Sequence, residues 1–215
     1  MKIFIDSADL GEIQEIASWG ILSGATTNPS LIAKSGKDFH ENIKNICTIV
    51  KGPVSAECME SETFNMVTEG LSLVALDPNV VVKIPLTVAG LKAVKILSGM
   101  EVKTNVTLCF SADQGLLAAQ AGATYVSVFV GRLDDNKCSG IEVVKELVEI
   151  LKKGKFSTEV ISASIRNRRH VIDSALVGAH IATVPYNILI SLVEHPLTTA
   201  GIERFTLDWE KFKNR

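Results

Sequence analysis

Short apolar runs rich in β-branched residues alternate with stretches of helical periodicity along the whole chain. The runs predict strands over residues 2–6, 24–28, 54–58, 80–84, 103–109, 125–130, 160–165 and 181–184. Helical patterns fill the gaps at 9–19, 39–50, 61–76, 88–97, 111–121, 141–152, 168–177 and 188–193. A strand followed by a helix, repeated eight times, predicts an α/β chain folded as a (β/α)8 barrel. A doubly wound open sheet is the competing layout, but it usually has fewer strands and a recognisable edge. With no linker or low-complexity tract, residues 1–215 read as one barrel domain. Residues 196–215 add a ninth helical element whose Ile202, Phe205, Leu207 and Trp209 have no obvious barrel face to cover. That tail either packs across the barrel or docks on a neighbouring subunit.

Side chains of a strand alternate between its two faces, so each predicted strand can be sorted by parity. One set is apolar: Val82 and Ile84, Val106 and Leu108, Val126, Val128 and Val130, and Ile161, Ala163 and Ile165. This set is expected against the helices. The other set is mixed: Phe4 and Asp6, Thr26 and Asn28, Ser55 and Glu57, Val81 and Lys83, Asn105 and Thr107, Ser127 and Phe129, and Ser162, Ser164 and Arg166. It is expected to face the barrel axis, with its most polar members toward the C-terminal strand ends. Polar groups are costly inside a packed barrel unless they have a task, and that end is where barrel enzymes hold their chemistry.

Composition narrows the classes. The chain is 47% hydrophobic and 21% charged with a formal net charge of −2, so no global field draws it to nucleic acid or an anionic membrane. Cys47, Cys58, Cys109 and Cys138 are far apart without a paired motif and read as reduced thiols, the pattern of a cytoplasmic protein. The opening MKIFIDSADL enters a strand at once, without the layout of a signal peptide. No stretch reaches the roughly 18 uncharged apolar residues of a membrane span. His40, His170, His180 and His195 have no ligand-like spacing, so no metal site is expected.

Lys83 is the residue with the sharpest chemistry. It interrupts the β-branched run 79–87, NVVVKIPLT, where poor solvation disfavours the ammonium form. A neutral amine is a nucleophile toward carbonyls, which points to a Schiff base. The competing reading is a strand-end lysine snorkelling to solvent. Dull readings exist for others too: Asp6 as a cap or turn residue, Asn28 before Pro29 as a plain turn, Arg132 paired to Asp134 or Asp135. Recurrence on one parity of consecutive strands favours a single converging site. There Asp6 and Glu57 suit proton transfer, Asn28, Asn105 and Ser127 suit a polyol, and Arg132, Ser164 and Arg166 suit a phosphate.

These residues sit in FIDSAD (4–9), GATTNPSLIAK (24–34), VSAE (54–57), VVVKIPLT (80–87), NVTLCFS (105–111), AGATYVSVFVGRLDD (121–135), SASIRN (162–167) and VPYNIL (184–189). Together they make the chain resemble small-subunit transaldolases, in the family that also holds fructose-6-phosphate aldolase. HPLT (195–198) and DWEKF (208–212) resemble the family's tail. The resemblance implies a metal-free, cofactor-free enzyme on a (β/α)8 barrel. It implies transfer of a dihydroxyacetone unit from sedoheptulose 7-phosphate to glyceraldehyde 3-phosphate, in the pentose phosphate pathway. By the same resemblance Lys83 forms the Schiff base, Asp6 takes the hydroxyl proton, and Glu57 and Thr107 act through a water. Asn28, Asn105 and Ser127 match the positions that hold the dihydroxyacetone portion, and Arg132, Ser164 and Arg166 those that contact phosphate. The resemblance also implies a homo-oligomer, since small members of the family are commonly pentamers or decamers whose C-terminal helix reaches a neighbour.

Glu57 and Phe129 separate the branches, because the aldolases of the family carry Gln and Tyr there. A phenylalanine cannot position a protonating water, so the three-carbon enamine survives until an acceptor arrives. Transfer is therefore expected over release. An aldolase releasing dihydroxyacetone and a catalytically silent sugar-phosphate-binding barrel are the rival readings.

Overall fold

The structure is a computed structural model that describes residues 1–214. Strands β1 (Lys2–Asp6), β2 (Leu22–Thr26), β3 (Val54–Glu57), β4 (Val80–Pro85), β5 (Thr104–Cys109), β6 (Tyr125–Phe129), β7 (Glu159–Ala163) and β8 (Ile181–Val184) form a closed barrel. Each pairs in parallel with its sequence neighbour, and β1 meets β8 with Lys2 opposite Ile181. The helices are α1 (Leu10–Ser18), α2 (Pro29–Ser35), α3 (Phe39–Ile49), α4 (Thr63–Val74), α5 (Val88–Gly99), α6 (Ala112–Ala121), α7 (Val130–Asp135), α8 (Gly140–Gly154), α9 (Arg168–Leu176), α10 (Tyr186–Val193) and α11 (Pro196–Lys213). The architecture is a (β/α)8 barrel with a C-terminal helix.

Local chemistry starts many of these helices. Asp9, Asp38, Thr87, Ser139 and Asn167 each accept a backbone N–H from the first turn, satisfying donors the helix itself leaves unpaired. Two apolar layers result. The larger lies between sheet and helices, where Val82, Ile84, Val106 and Val126 meet residues such as Ile43, Met66, Leu97 and Leu147. Each such fully buried side chain is worth roughly 1.5–3 kcal/mol. The smaller fills the barrel: Phe4, Val81, Tyr125, Ile161, Ala163 and Ile181, with Phe129 packed against them.

The parity expected for β1, β4 and β6 is the one found, and that for β7 is reversed. Ile161 and Ala163 point into the barrel, while Ser162 faces outward and shares a 2.6 Å hydrogen bond with Ser174 of α9. A hydroxyl satisfied by another hydroxyl behind the sheet carries no sign of which face it occupies. Strand β7 also stops at Ala163 rather than residue 165, because Ser164 adopts left-handed backbone with φ +56°. In β5, Leu108 (φ +57°) breaks the alternation and the register with β6, so it lines the open mouth of the barrel instead of meeting the helices.

Three further departures concern the connections. Strand β2 runs from Leu22 to Thr26, two residues earlier than expected. Asn28 is thus no strand residue; it caps α2, its Oδ1 accepting Leu31 N–H at 3.0 Å, and Pro29 supplies the first helical position. Helix α7 follows β6 without a break. Finally, α11 has no buried residue, so it does not pack across the barrel. Among the described residues no helix is long and apolar enough to cross a membrane. All four cysteines are free, and burial pushes the Cys47 and Cys58 thiols up to about 12 and the Cys109 thiol up to about 11, which removes them as nucleophiles.

Candidate active site

A cavity of about 130 Å³ opens at the C-terminal end of the barrel and widens into an outer mouth. Asp6, Asn28, Lys83, Phe129, Arg132 and Ser164 line both parts. They come from the ends of β1, β4 and β6, the cap of α2, helix α7 and the turn after β7.

Lys83 is only 5% exposed. Its Nζ lies 2.9 Å from Glu57 Oε2 and donates to the Thr27 carbonyl at 2.9 Å. The amine is therefore held, not snorkelling. Across the cavity, Asp6 Oδ1 accepts from Thr26 Oγ1 at 2.8 Å, and that hydroxyl is 2.6 Å from Thr183 Oγ1. Burial raises the Asp6 carboxyl above its ordinary value; the Thr26 hydrogen bond and the Lys83 charge oppose the rise, and the Glu57 charge adds to it. A carboxylate in this setting is a stronger base than a solvated one.

Below the cavity floor, Asn105 is fully buried. Its Nδ2 donates to Ser55 Oγ at 3.0 Å and its Oδ1 accepts from Ser127 Oγ at 2.8 Å. Ser127 lines the inner cavity, so Asn105 meets the opening through it. Asn28 commits its Oδ1 to capping α2, which leaves its amide hydrogens for the cavity. Thr107 lines the outer mouth, and its buried Oγ1 has no hydrogen-bond partner. Such an orphaned hydroxyl beside Lys83 and Glu57 suits a water or a substrate oxygen.

The rim carries the positive charge. Arg132 sits with its guanidinium carbon 5.1 Å above the centre of the Phe129 ring, and Phe110 meets the same ring edge-on at 5.7 Å. Arg166 forms a 3.1 Å ion pair with Asp135 and reaches Ser164 Oγ through Nε at 3.4 Å. The rim comes together because Gly131 lets α7 approach the turn after β7. A Cβ there would overlap the Ser164 carbonyl oxygen, which instead accepts Gly131 N–H at 3.1 Å.

Ten of the eleven candidate residues line this opening, and Asn105 lies just beneath it. Thr183, the Thr27 carbonyl, Ser55 and Lys34 belong to the same neighbourhood without having been singled out. Thr183 was findable: it shares the inward parity of Ile181 in β8. No cluster of three metal-ligating side chains occurs among the described residues. The arrangement is an amine beside two carboxylates, flanked by amide and hydroxyl groups and rimmed by two guanidinium groups. It suits carbonyl condensation and proton transfer on a polyhydroxylated anion.

A sequence model described as transaldolase/fructose-6-phosphate aldolase matches residues 3–215. Curated relatives agree along the full length. A probable transaldolase of Bacillus cereus is 55% identical over 215 residues, covering 100% of both chains. Proteins of the same description from Alkaliphilus metalliredigens and Caldicellulosiruptor saccharolyticus are 57% and 56% identical, each alignment covering 98% of both chains.

Proposed function

The chain belongs to the transaldolase/fructose-6-phosphate aldolase family, and on that premise we propose that it is a transaldolase acting through an imine on Lys83. It moves a dihydroxyacetone unit from sedoheptulose 7-phosphate to glyceraldehyde 3-phosphate, giving erythrose 4-phosphate and fructose 6-phosphate. The observation that carries the reading is the buried Lys83 Nζ, 2.9 Å from Glu57 in a cavity shared with Asp6.

Proton transfer to Glu57 frees the amine, which adds to the ketose carbonyl carbon. Loss of water gives the iminium, with Glu57 and the unpartnered Thr107 hydroxyl holding the water that leaves. Asp6 then removes the proton of the hydroxyl on the carbon beyond the scissile bond. As that bond breaks its electrons enter the iminium, an aldehyde departs and an enamine remains on Lys83. The acceptor aldehyde is attacked by the enamine, Asp6 returns the proton, and water hydrolyses the new iminium. Asn28 and Ser127, the latter steadied by Asn105, hold the three-carbon unit; Arg132, Ser164 and Arg166 hold the phosphate. Phe129 has no exchangeable proton, which favours transfer over release of dihydroxyacetone.

The same proposal includes a cytoplasmic homo-oligomer, pentamer or decamer, built with α11. Leu197, Ile202, Phe205, Leu207, Trp209 and Phe212 are all exposed on that helix, an apolar surface that suits a protein neighbour.

Borohydride reduction in the presence of fructose 6-phosphate tests the reading. A three-carbon adduct on the Lys83 peptide is expected, and its absence overturns the proposal in favour of a silent barrel.

A further inference from the structure

Helix α7, carrying Arg132, and the turn after β7, carrying Ser164 and Arg166, both lie outside the hydrogen-bonded ladder of the sheet. The Gly131 N–H bond to the Ser164 carbonyl joins them at one point, and a second tie is needed to fix the spacing of the arginines beyond it. A buried imidazole lies between them. His170 is 9% exposed in the first turn of α9, held there by the Asn167 cap, whose Oδ1 accepts its backbone N–H at 2.9 Å. Its Nδ1 accepts the Arg166 backbone N–H at 3.3 Å, and its Nε2 lies 3.0 Å from Asp134 Oδ2. An accepting Nδ1 places the ring proton on Nε2, which donates it to Asp134. The other carboxylate oxygen of Asp134 accepts Gly140 N–H at 2.9 Å.

We propose that His170 is a positioning residue for sugar-phosphate binding, bridging the Arg166 backbone to Asp134 and so fixing the separation of the two arginine-bearing segments. The proposal rests on the reading that Arg132, Ser164 and Arg166 hold the phosphate. Both arginine side chains are exposed and long, so where their backbones sit decides whether their guanidinium groups converge on one anion. Asp134 lies two residues beyond Arg132 on α7, and the imidazole bond falls on Arg166 itself. A histidine buried only to fill space has no reason to direct both ring nitrogens at these two segments.

The test compares His170→Ala and Asp134→Ala with the parent and with Arg166→Ala. Inhibition by inorganic phosphate and the KM for fructose 6-phosphate report on the rim. Borohydride trapping of dihydroxyacetone, which has no phosphate, reports on Lys83 alone. Both bridge variants are expected to weaken phosphate inhibition and raise KM by about tenfold, as for loss of one charge-assisted hydrogen bond. Their kcat and dihydroxyacetone trapping stay at the parent's level. Unchanged phosphate inhibition in either folded variant overturns the proposal, as does a parallel fall in dihydroxyacetone trapping, which marks a merely structural residue. Should His170→Ala fail to fold, Asp134→Ala decides. If Arg166→Ala itself leaves phosphate inhibition unchanged, the phosphate reading falls, and this inference with it.

Discussion

Glu57 on β3 and Lys83 on β4 are register partners in the barrel. Their side chains leave adjacent strands at the same height and on the same face, so the ion pair is a product of strand alignment and not of long flexible reach. Each group compensates the burial of the other, and neither can be changed without affecting its neighbour.

Replacing the amine is the most direct consequence to check. Lys83→Ala is expected to lower turnover by roughly 10³-fold or more while the fold persists. Glu57 keeps an open cavity beside it, where water can solvate its carboxylate. A coupled transfer assay, paired with circular dichroism of the same sample, checks both halves. A parent-like rate would be fatal to the imine mechanism.

On the proposed mechanism, Phe129 decides the fate of the enamine. A tyrosine hydroxyl at this wall, beneath the Arg132 guanidinium, can hold a protonating water. Phe129→Tyr is expected to raise acceptor-free release of dihydroxyacetone by about tenfold or more. The measurement is fructose 6-phosphate cleavage with and without erythrose 4-phosphate, and an unchanged acceptor-free rate removes this role from Phe129.

Asp6 links activity to pH. Its folded carboxyl is raised above the ordinary 3.8, burial being the main cause, although Thr26 and Lys83 pull the other way. Stability is therefore lost as the pH rises from 3.8 to the raised value, and the full cost of the ionised form is present above it. Asp6→Asn is expected to lose transfer activity yet melt higher than the parent at neutral pH. That gap closes as the pH falls through the raised value toward 3.8. The acid limb of the parent's rate profile lies above 3.8 for the same reason. Melting curves across pH that show no gap at neutrality would contradict this account.

Gly131→Ala drives a methyl into the Ser164 carbonyl, a backbone group that cannot rotate aside. The overlap is expected to cost about 1–3 kcal/mol, lowering the melting midpoint by roughly 2–10 °C. The KM for fructose 6-phosphate should rise as α7 and the following turn separate. Calorimetry and steady-state kinetics would expose the error if both stayed unchanged.

Much of this was visible in the residue pattern, for identifiable reasons. Alternation in β1, β4 and β6 is unbroken, so the sequence alone places Asp6, Lys83 and Ser127 on one face. The strand expected over 24–28 ran past its end at Thr26 because Asn28 caps a helix, α2, of only seven residues, too short to show a period of its own. Helix α7 has six and follows β6 with no turn residue between Phe129 and Val130. Ser162 misled because its partner, Ser174, comes from α9, the next helix, packed behind the sheet. The left-handed backbone at Ser164 and Leu108 left no trace in composition, since neither residue is glycine or asparagine.

Ser164 reaches the cavity only because the chain has already left β7. The Lys83 amine is woven into the wall of the cylinder, whereas the proposed grip on the sugar's far end hangs from a turn moored to its neighbours by Gly131 and His170. Such modularity lets exposed side chains of the turn change while the stagger of the staves stays as it is. New clientele can thus be recruited by rewriting a few rim positions, with the bond-making half inherited unchanged.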